Sequence, residues 1–237
     1  KRGETHAIRL AYGDSESDRA CVEQVANRPY EEIEAELLEF ASRDDAPVLK
    51  IGHLWKAKAP LELLSLVGSR LTGAILSRFF EVAMAVFEEP DPVLELEDDK
   101  RWMASIYGKV REHSGVVLEA MADSIAKLGY FSEINPSAEA VGGEARVFVR
   151  ELLENANEER WLPVSPHLRS FAEAAPEEFL FAVQVSLSSS EKPVLRLLTE
   201  TQSSGLFGRC WHANLLWSLE MLAWYPRRLN AVAGVLA

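Results

Sequence analysis

The sequence predicts a mostly α-helical protein: an irregular HEAT-like helical repeat (α-solenoid) with a small N-terminal winged-helix-like unit containing one β-hairpin. Two C-terminal stretches share one pattern, Phe171-Ala-Glu-Ala-Ala-Pro176-Glu-Glu-Phe179 and Met221-Leu-Ala-Trp-Tyr-Pro226-Arg-Arg-Leu229, an apolar helix, a proline and a second apolar helix. The prolines lie 50 residues apart. A period of that size marks stacked helical pairs, which bury their apolar stripes only against neighbours. The one departure from helical periodicity is Val48 to Lys58, where the pattern turns extended around Gly52-His53.

Taken in order, residues 17–27 read as a short helix, and Pro29 suits the start of the next, where a missing N–H costs nothing. Tyr30, Ile33, Leu37 and Phe40 recur at steps of three and four, with Glu31, Glu32, Glu34, Glu36 and Glu39 mostly on the wet side. The acidic run therefore reads as a solvated helix face. In the hairpin, Gly52 supplies a positive φ at the turn, and Leu54, Lys56 and Lys58 share one face opposite Trp55 and Ala57. Pro60 closes the second strand and opens a helix through Leu61, Leu63, Leu64 and Leu66.

Residues 72–88 are apolar nearly all round, as in a helix at the middle of a core. Pro90-Asp-Pro92 breaks it, and Glu95 to Lys100 form a charged connection to Trp102, Ile106 and Tyr107. A helix follows over 114–128, with Val117, Met121, Ile125 and Leu128 on one face and Gly129 as its C-cap. Residues 132–143, with Pro136 and Gly142-Gly143, read as a loop, and 144–155 as helix. Two pairs complete the chain: Pro166–Ala174 with Pro176–Leu187, and Trp211–Trp224 with Pro226–Leu236. The expected domains are 1–70, the winged-helix-like unit with its hairpin at 48–58, and 71–237, the helical repeat. The absence of an initial methionine and an apolar helical pattern reaching Ala237 lead us to expect a fragment of a longer chain.

Composition narrows the function classes. The 237 residues are 48% apolar and carry a formal net charge of −12. That charge repels phosphate backbones and anionic membranes. Two cysteines, Cys21 and Cys210, are too few for a disulfide framework and point to a reducing, cytoplasmic setting. No run approaches the apolar length of a membrane span, and no signal-peptide pattern opens the chain.

Catalytic and cofactor motifs are missing from the sequence. It has no G-x-x-x-x-G-K-[ST] loop, no G-x-G-x-x-G and no G-x-S-x-G elbow. Cys210 and His212 suggest a thiol–imidazole pair, but side chains two apart on a helix diverge by about 200°. The histidines at 6, 53, 113, 167 and 212 lack zinc-ligand spacing. Gly205-Leu-Phe-Gly208 matches the Gly-x-x-Gly of a KH loop but lacks that domain's flanking strands. We therefore expect no catalytic, cofactor-binding or metal-ligating residues, and no enzyme activity.

The candidate interaction residues are of two kinds. Trp211, Trp217 and Trp224 lie in the last pair, where they either pack between repeats or anchor a protein partner, as large aromatics do. Lys56 and Lys58 lie on the wing, where they suit phosphates. The five glutamates on the preceding helix would repel the groove of a duplex, so a structural or protein-contacting wing is expected ahead of a nucleic-acid-binding one.

Certain stretches resemble a known family. Phe171 to Leu180, Phe207-Gly-Arg209 followed by His212 to Trp224, Pro47 to Lys58, Leu71-Thr72 and Phe79 to Pro92 are similar to the winged-helix and helical-repeat region of large bacterial STAND-class NTPase-like proteins associated with antiphage defence. The resemblance implies a nucleotide-dependent oligomerising switch whose helical repeats hold the inactive state or sense a trigger. It brings no active-site residue to this chain, since the nucleotide loop and effector would lie outside residues 1–237. The function expected is a noncatalytic regulatory or sensor scaffold that contacts a protein partner or other domains of a longer protein, and the alternative is a winged-helix nucleic-acid-binding module.

Overall fold

The computed structural model describes residues 9–10, 15–135, 138–200 and 210–236. The described chain is mostly helical with one β-hairpin, as the sequence predicts. Contacts divide it into two units, Lys1–Val86 with Glu112–Ala145, and Phe87–Arg111 with Arg146–Ala237. The boundary expected after residue 70 does not coincide with this division. The segment 112–145 groups with the N-terminal residues through long-range packing that local periodicity does not encode.

In the first unit, β1 (Arg9–Leu10) precedes α1 (Glu16–Ala26), which ends on Asn27 at φ 55°, a left-handed conformation that asparagine tolerates. Next come α2 (Tyr30–Ala41), β2 (Val48–Ile51) and β3 (Leu54–Ala57). Gly52 turns the hairpin at φ 60°, and the register pairs Val48 with Ala57 and Lys50 with Trp55. β1 adds antiparallel to β3, so the sheet order is β1-β3-β2. Two residues are too few to announce a strand by alternation, so the sequence does not predict β1.

Alternation puts Trp55 and Ala57 inside. Tyr30, Val48 and Trp55 form a small core, with Val22, Leu37 and Ala41 packed half-buried against it. The α2 stripe is shallower than its spacing implies, because Phe40 stays exposed beneath the Arg43 guanidinium, 4.7 Å from the ring centre.

The unit continues with α3 (Pro60–Val67), which starts on its proline, and with α4 (Gly73–Glu88) as far as Val86. α5 (Gly115–Ile134) is capped by the Ser114 hydroxyl, which accepts from the Val117 N–H at 3.2 Å. The Ser114 N–H donates to Oδ1 of the fully buried Asp18 at 3.0 Å, fastening the start of α5 to α1. Gly129 does not end this helix. Phe131 continues the buried face three residues after Leu128, and that packing outweighs the glycine penalty of about 1 kcal/mol. Likewise Gly142 and Gly143 lie in α6 (Glu139–Leu153) and not in a loop. Pro136 lies outside the described residues.

The second unit holds the repeat. α7 (Glu158–Val164) contains Pro163 and passes through a 3-10 turn at Ser165–His167 into α8 (Leu168–Ala174). Pro176 then opens α9 (Pro176–Ser188). After the short α10 (Arg196–Thr199), α11 (Trp211–Ala223) and α12 (Pro226–Leu236) form the second pair, again joined at a proline. α8 packs on α11 and α9 on α12, so the pairs stack in register. Arg228 Nε lies 3.1 Å from Glu177 Oε1 across that stack. Trp161 and Trp211, also 50 residues apart, are both buried, which extends the period to a third landmark.

Phe87, Phe148 and Phe171 meet in edge-on or tilted contacts at 5.1 to 6.0 Å. The His167 ring stands edge-on to Phe87 at 5.4 Å. Burial first, and the positive charge of Arg111 second, push this imidazole down from 6.5 to about 4. The fold thus favours the neutral ring. Between these pH values the unfolded chain takes up a proton that the folded chain refuses, so the contribution is whole above pH 6.5 and is lost as pH falls toward 4. Urea titrations should show about 2 kcal/mol less stability from this residue at about pH 5 than at about pH 7.5. His167→Phe should flatten that part of the dependence, and an unchanged pH profile in the variant would remove the assignment.

Candidate protein-contact face

Among the described residues, the last pair of the second unit carries six exposed large apolar side chains, Leu216, Trp217, Trp224, Tyr225, Leu229 and Leu236. In α11 the buried stripe is Leu215, Leu219 and Leu222, as its spacing predicts. Trp217 and Trp224 are seven residues apart, two helical turns, and both lie on the opposite side. They are 58% and 79% exposed, whereas Trp211 is only 2% exposed. Trp211 is therefore an interior residue and no contact anchor. The Ser165 hydroxyl donates to its carbonyl at 3.3 Å, where α11 begins.

Tyr225 at the helix junction and Leu229 and Leu236 on α12 extend the exposed surface. Leu229, Ala233 and Leu236 follow the four-then-three spacing of one helix face, so the pair presents an apolar stripe on each helix. Exposed apolar groups clustered in this way mark contact surfaces, whereas single ones are ordinary. A second exposed apolar group, Trp102, Ile106, Tyr107 and Val110, lies on the turns after the charged connection.

The wing lysines are placed as the alternation predicts. Lys56 is half-buried on the outward face and Lys58 is exposed. Lys50 is committed elsewhere, since its ammonium lies 2.8 Å from Glu34 Oε1 and 5.2 Å from the Trp55 ring centre. One glutamate of the α2 run is thus an ion-pair partner for the hairpin. Glu36 and Glu39 pair with Arg28 and Arg43 at 2.6 and 2.9 Å, and Glu31 and Glu32 are exposed.

The Cys210 and His212 side chains meet, contrary to the divergence expected of a helix. Cys210 is the N-cap of α11, with φ −102° and ψ 83°, so its side chain is free of helical phase and Sγ comes within 3.3 Å of Nε2. Both residues are exposed, and no third group orients His212 among the described residues. The arrangement lacks the oriented base of a nucleophilic site. Cys21 is buried, so a thiol reagent should titrate Cys210 at once and Cys21 only on unfolding. Cys210→Ser should abolish the fast phase, and two fast thiols in the native chain would contradict the burial.

Among the described residues no cluster of three or more histidine, cysteine, aspartate or glutamate side chains is placed to hold a metal ion. No described helix is long and apolar enough to cross a membrane. A depression of about 200 Å³ is lined by residues from Asn155–Asn157 and Val185–Pro193, and among the described residues Glu191 is the one charged residue lining it. The Gly205–Gly208 motif falls outside the described residues.

Fold and site together define a class: a mostly α-helical protein of stacked helix–proline–helix pairs carrying a small antiparallel sheet. No protein-family model, curated protein or solved structure matches the chain.

Proposed function

We propose that this chain is a noncatalytic regulatory or sensor scaffold, making protein contacts within a larger bacterial signalling or defence protein of the STAND class. The observation that carries the reading is the exposed aromatic and aliphatic face of α11 and α12, with Trp217 and Trp224 as its largest residues. Aromatic anchors of this kind dominate interface energetics. The sequence resemblance supplies the bacterial and cytoplasmic setting, and nucleotide binding and effector chemistry then belong to other segments. The β1-β3-β2 order, with two helices between β1 and β2, supports a winged-helix-like role for the first unit.

Affinity capture of the full-length protein from phage-infected cells, with partners identified by mass spectrometry, tests the proposal. Trp217→Ala with Trp224→Ala should remove specific partners that the wild type retains and should weaken phage protection. The same partners and intact protection would defeat the contact role. The sheet order also keeps nucleic-acid binding through the wing as a second reading. That reading requires short duplexes to shift at low salt and Lys56→Glu with Lys58→Glu to weaken the shift.

A further inference from the structure

The two helical pairs share a register, and several positions buried in the first are exposed in the second, whereas Leu219 is buried where its counterpart Arg169 is exposed. Ala172 and Ala182 are buried in the first pair, and so are Leu222 and Val232, 50 residues on, in the second. Ala174, Phe179 and Val183 are also buried, but their counterparts Trp224, Leu229 and Ala233 are exposed. The second pair has the first packed against it, so positions buried in both pairs face the partner helix or the preceding elements. The next layer over α8 and α9 is another helix–proline–helix pair, and burial that only the first pair shows is assigned to that contact. The exposed face of α11 and α12 is thus the continuation of an interface the chain already makes once.

Charge narrows the occupant. In the existing stack, Glu177, the residue after Pro176, pairs with Arg228, the second residue after Pro226. The position after Pro226 is held by Arg227, which is exposed and has no ion pair among the described residues. Sign is inverted relative to Glu177, so repetition of the contact calls for a carboxylate.

We propose that the face of Trp224, Leu229 and Ala233 docks one further helix–proline–helix pair, whose second helix carries aspartate or glutamate two residues after its proline. This rests on the protein-contact role proposed above and specifies its partner. The pair's first helix would cover Trp224 as α11 packs on α8, and its second would lie along Leu229 and Ala233 as α12 lies along α9.

A benzophenone amino acid placed at position 229 of the full-length protein, photolysed in its native cells, tests this directly. The crosslinked peptide should map to a helix–proline–helix segment with an acidic residue two positions past the proline. Arg227→Glu should lower the crosslink yield about fivefold, and converting the partner's acid to lysine should restore it. A crosslink to a protein segment of another architecture would overturn this inference while leaving the contact role standing. Crosslinks to no protein at all would remove both, and indifference to Arg227→Glu would overturn the acidic partner.

Discussion

Glu200→Ala is expected to cost about 3–5 kcal/mol in urea denaturation, enough to remove much of an ordinary domain's margin. The Glu200 carboxylate is 4% exposed and bridges two arginines, 2.6 Å from Arg101 Nη1 and 2.7 Å from Arg196 Nε. Arg101 is itself 8% exposed, and its other carboxylate, Asp98 at 2.9 Å, is the more exposed member of that pair. Removing Glu200 strands a buried guanidinium with a partly solvated partner. The loss is mainly that uncompensated charge and only secondarily the pair's own worth, so Arg101→Met with Glu200→Leu should lose less than Glu200→Ala alone. A single variant within about 1 kcal/mol of wild type, on the scale of an exposed pair, would show the network to be solvated.

Trp55→Ala should destabilise the first unit by about 3–5 kcal/mol. The side chain is fully buried at the centre of β3, between β1 and β2, and forms with Tyr30 and Val48 the core on which α2 rests. So small a core has little to collapse into the cavity. Trp55→Phe should recover part of the loss by keeping an aromatic body. Near-UV circular dichroism and the urea midpoint should fall together in Trp55→Ala, and an unchanged midpoint would contradict the burial.

Legibility along the chain followed the range of the forces involved. Pro60, Pro176 and Pro226 were readable because a proline's missing N–H and fixed φ act within one turn, and each opens a helix as expected. Gly52 was readable for the same reason, since its positive φ is a local demand. Gly129, Gly142 and Gly143 misled, because a weak local preference was set against burial of the surrounding helix faces. Cys210 and His212 misled in the opposite direction. Their approach depends on Cys210 standing just outside α11, a boundary finer than periodicity resolves.

For the candidate site, spacing put Leu215, Leu219 and Leu222 on the buried side of α11 and Trp217 and Trp224 together on another, but left open whether a neighbouring pair covers the tryptophans. Position within the stack settles that. Trp211 is buried, while Trp217 and Trp224 lie on the side exposed in this chain.

The local units are written in the residues themselves: the hairpin at its glycine, the helix starts at their prolines, and the repeat of 50 residues. They arise from backbone geometry and from periodicities of two and 3.6. Three features emerge only when the chain is folded: residues 112–145 group with the N-terminal unit, Glu200 sits buried between two arginines, and one face of the last pair stays bare. Each of these depends on which surfaces meet across long stretches of chain, and that is governed by the burial of whole faces and not by any residue's own preference.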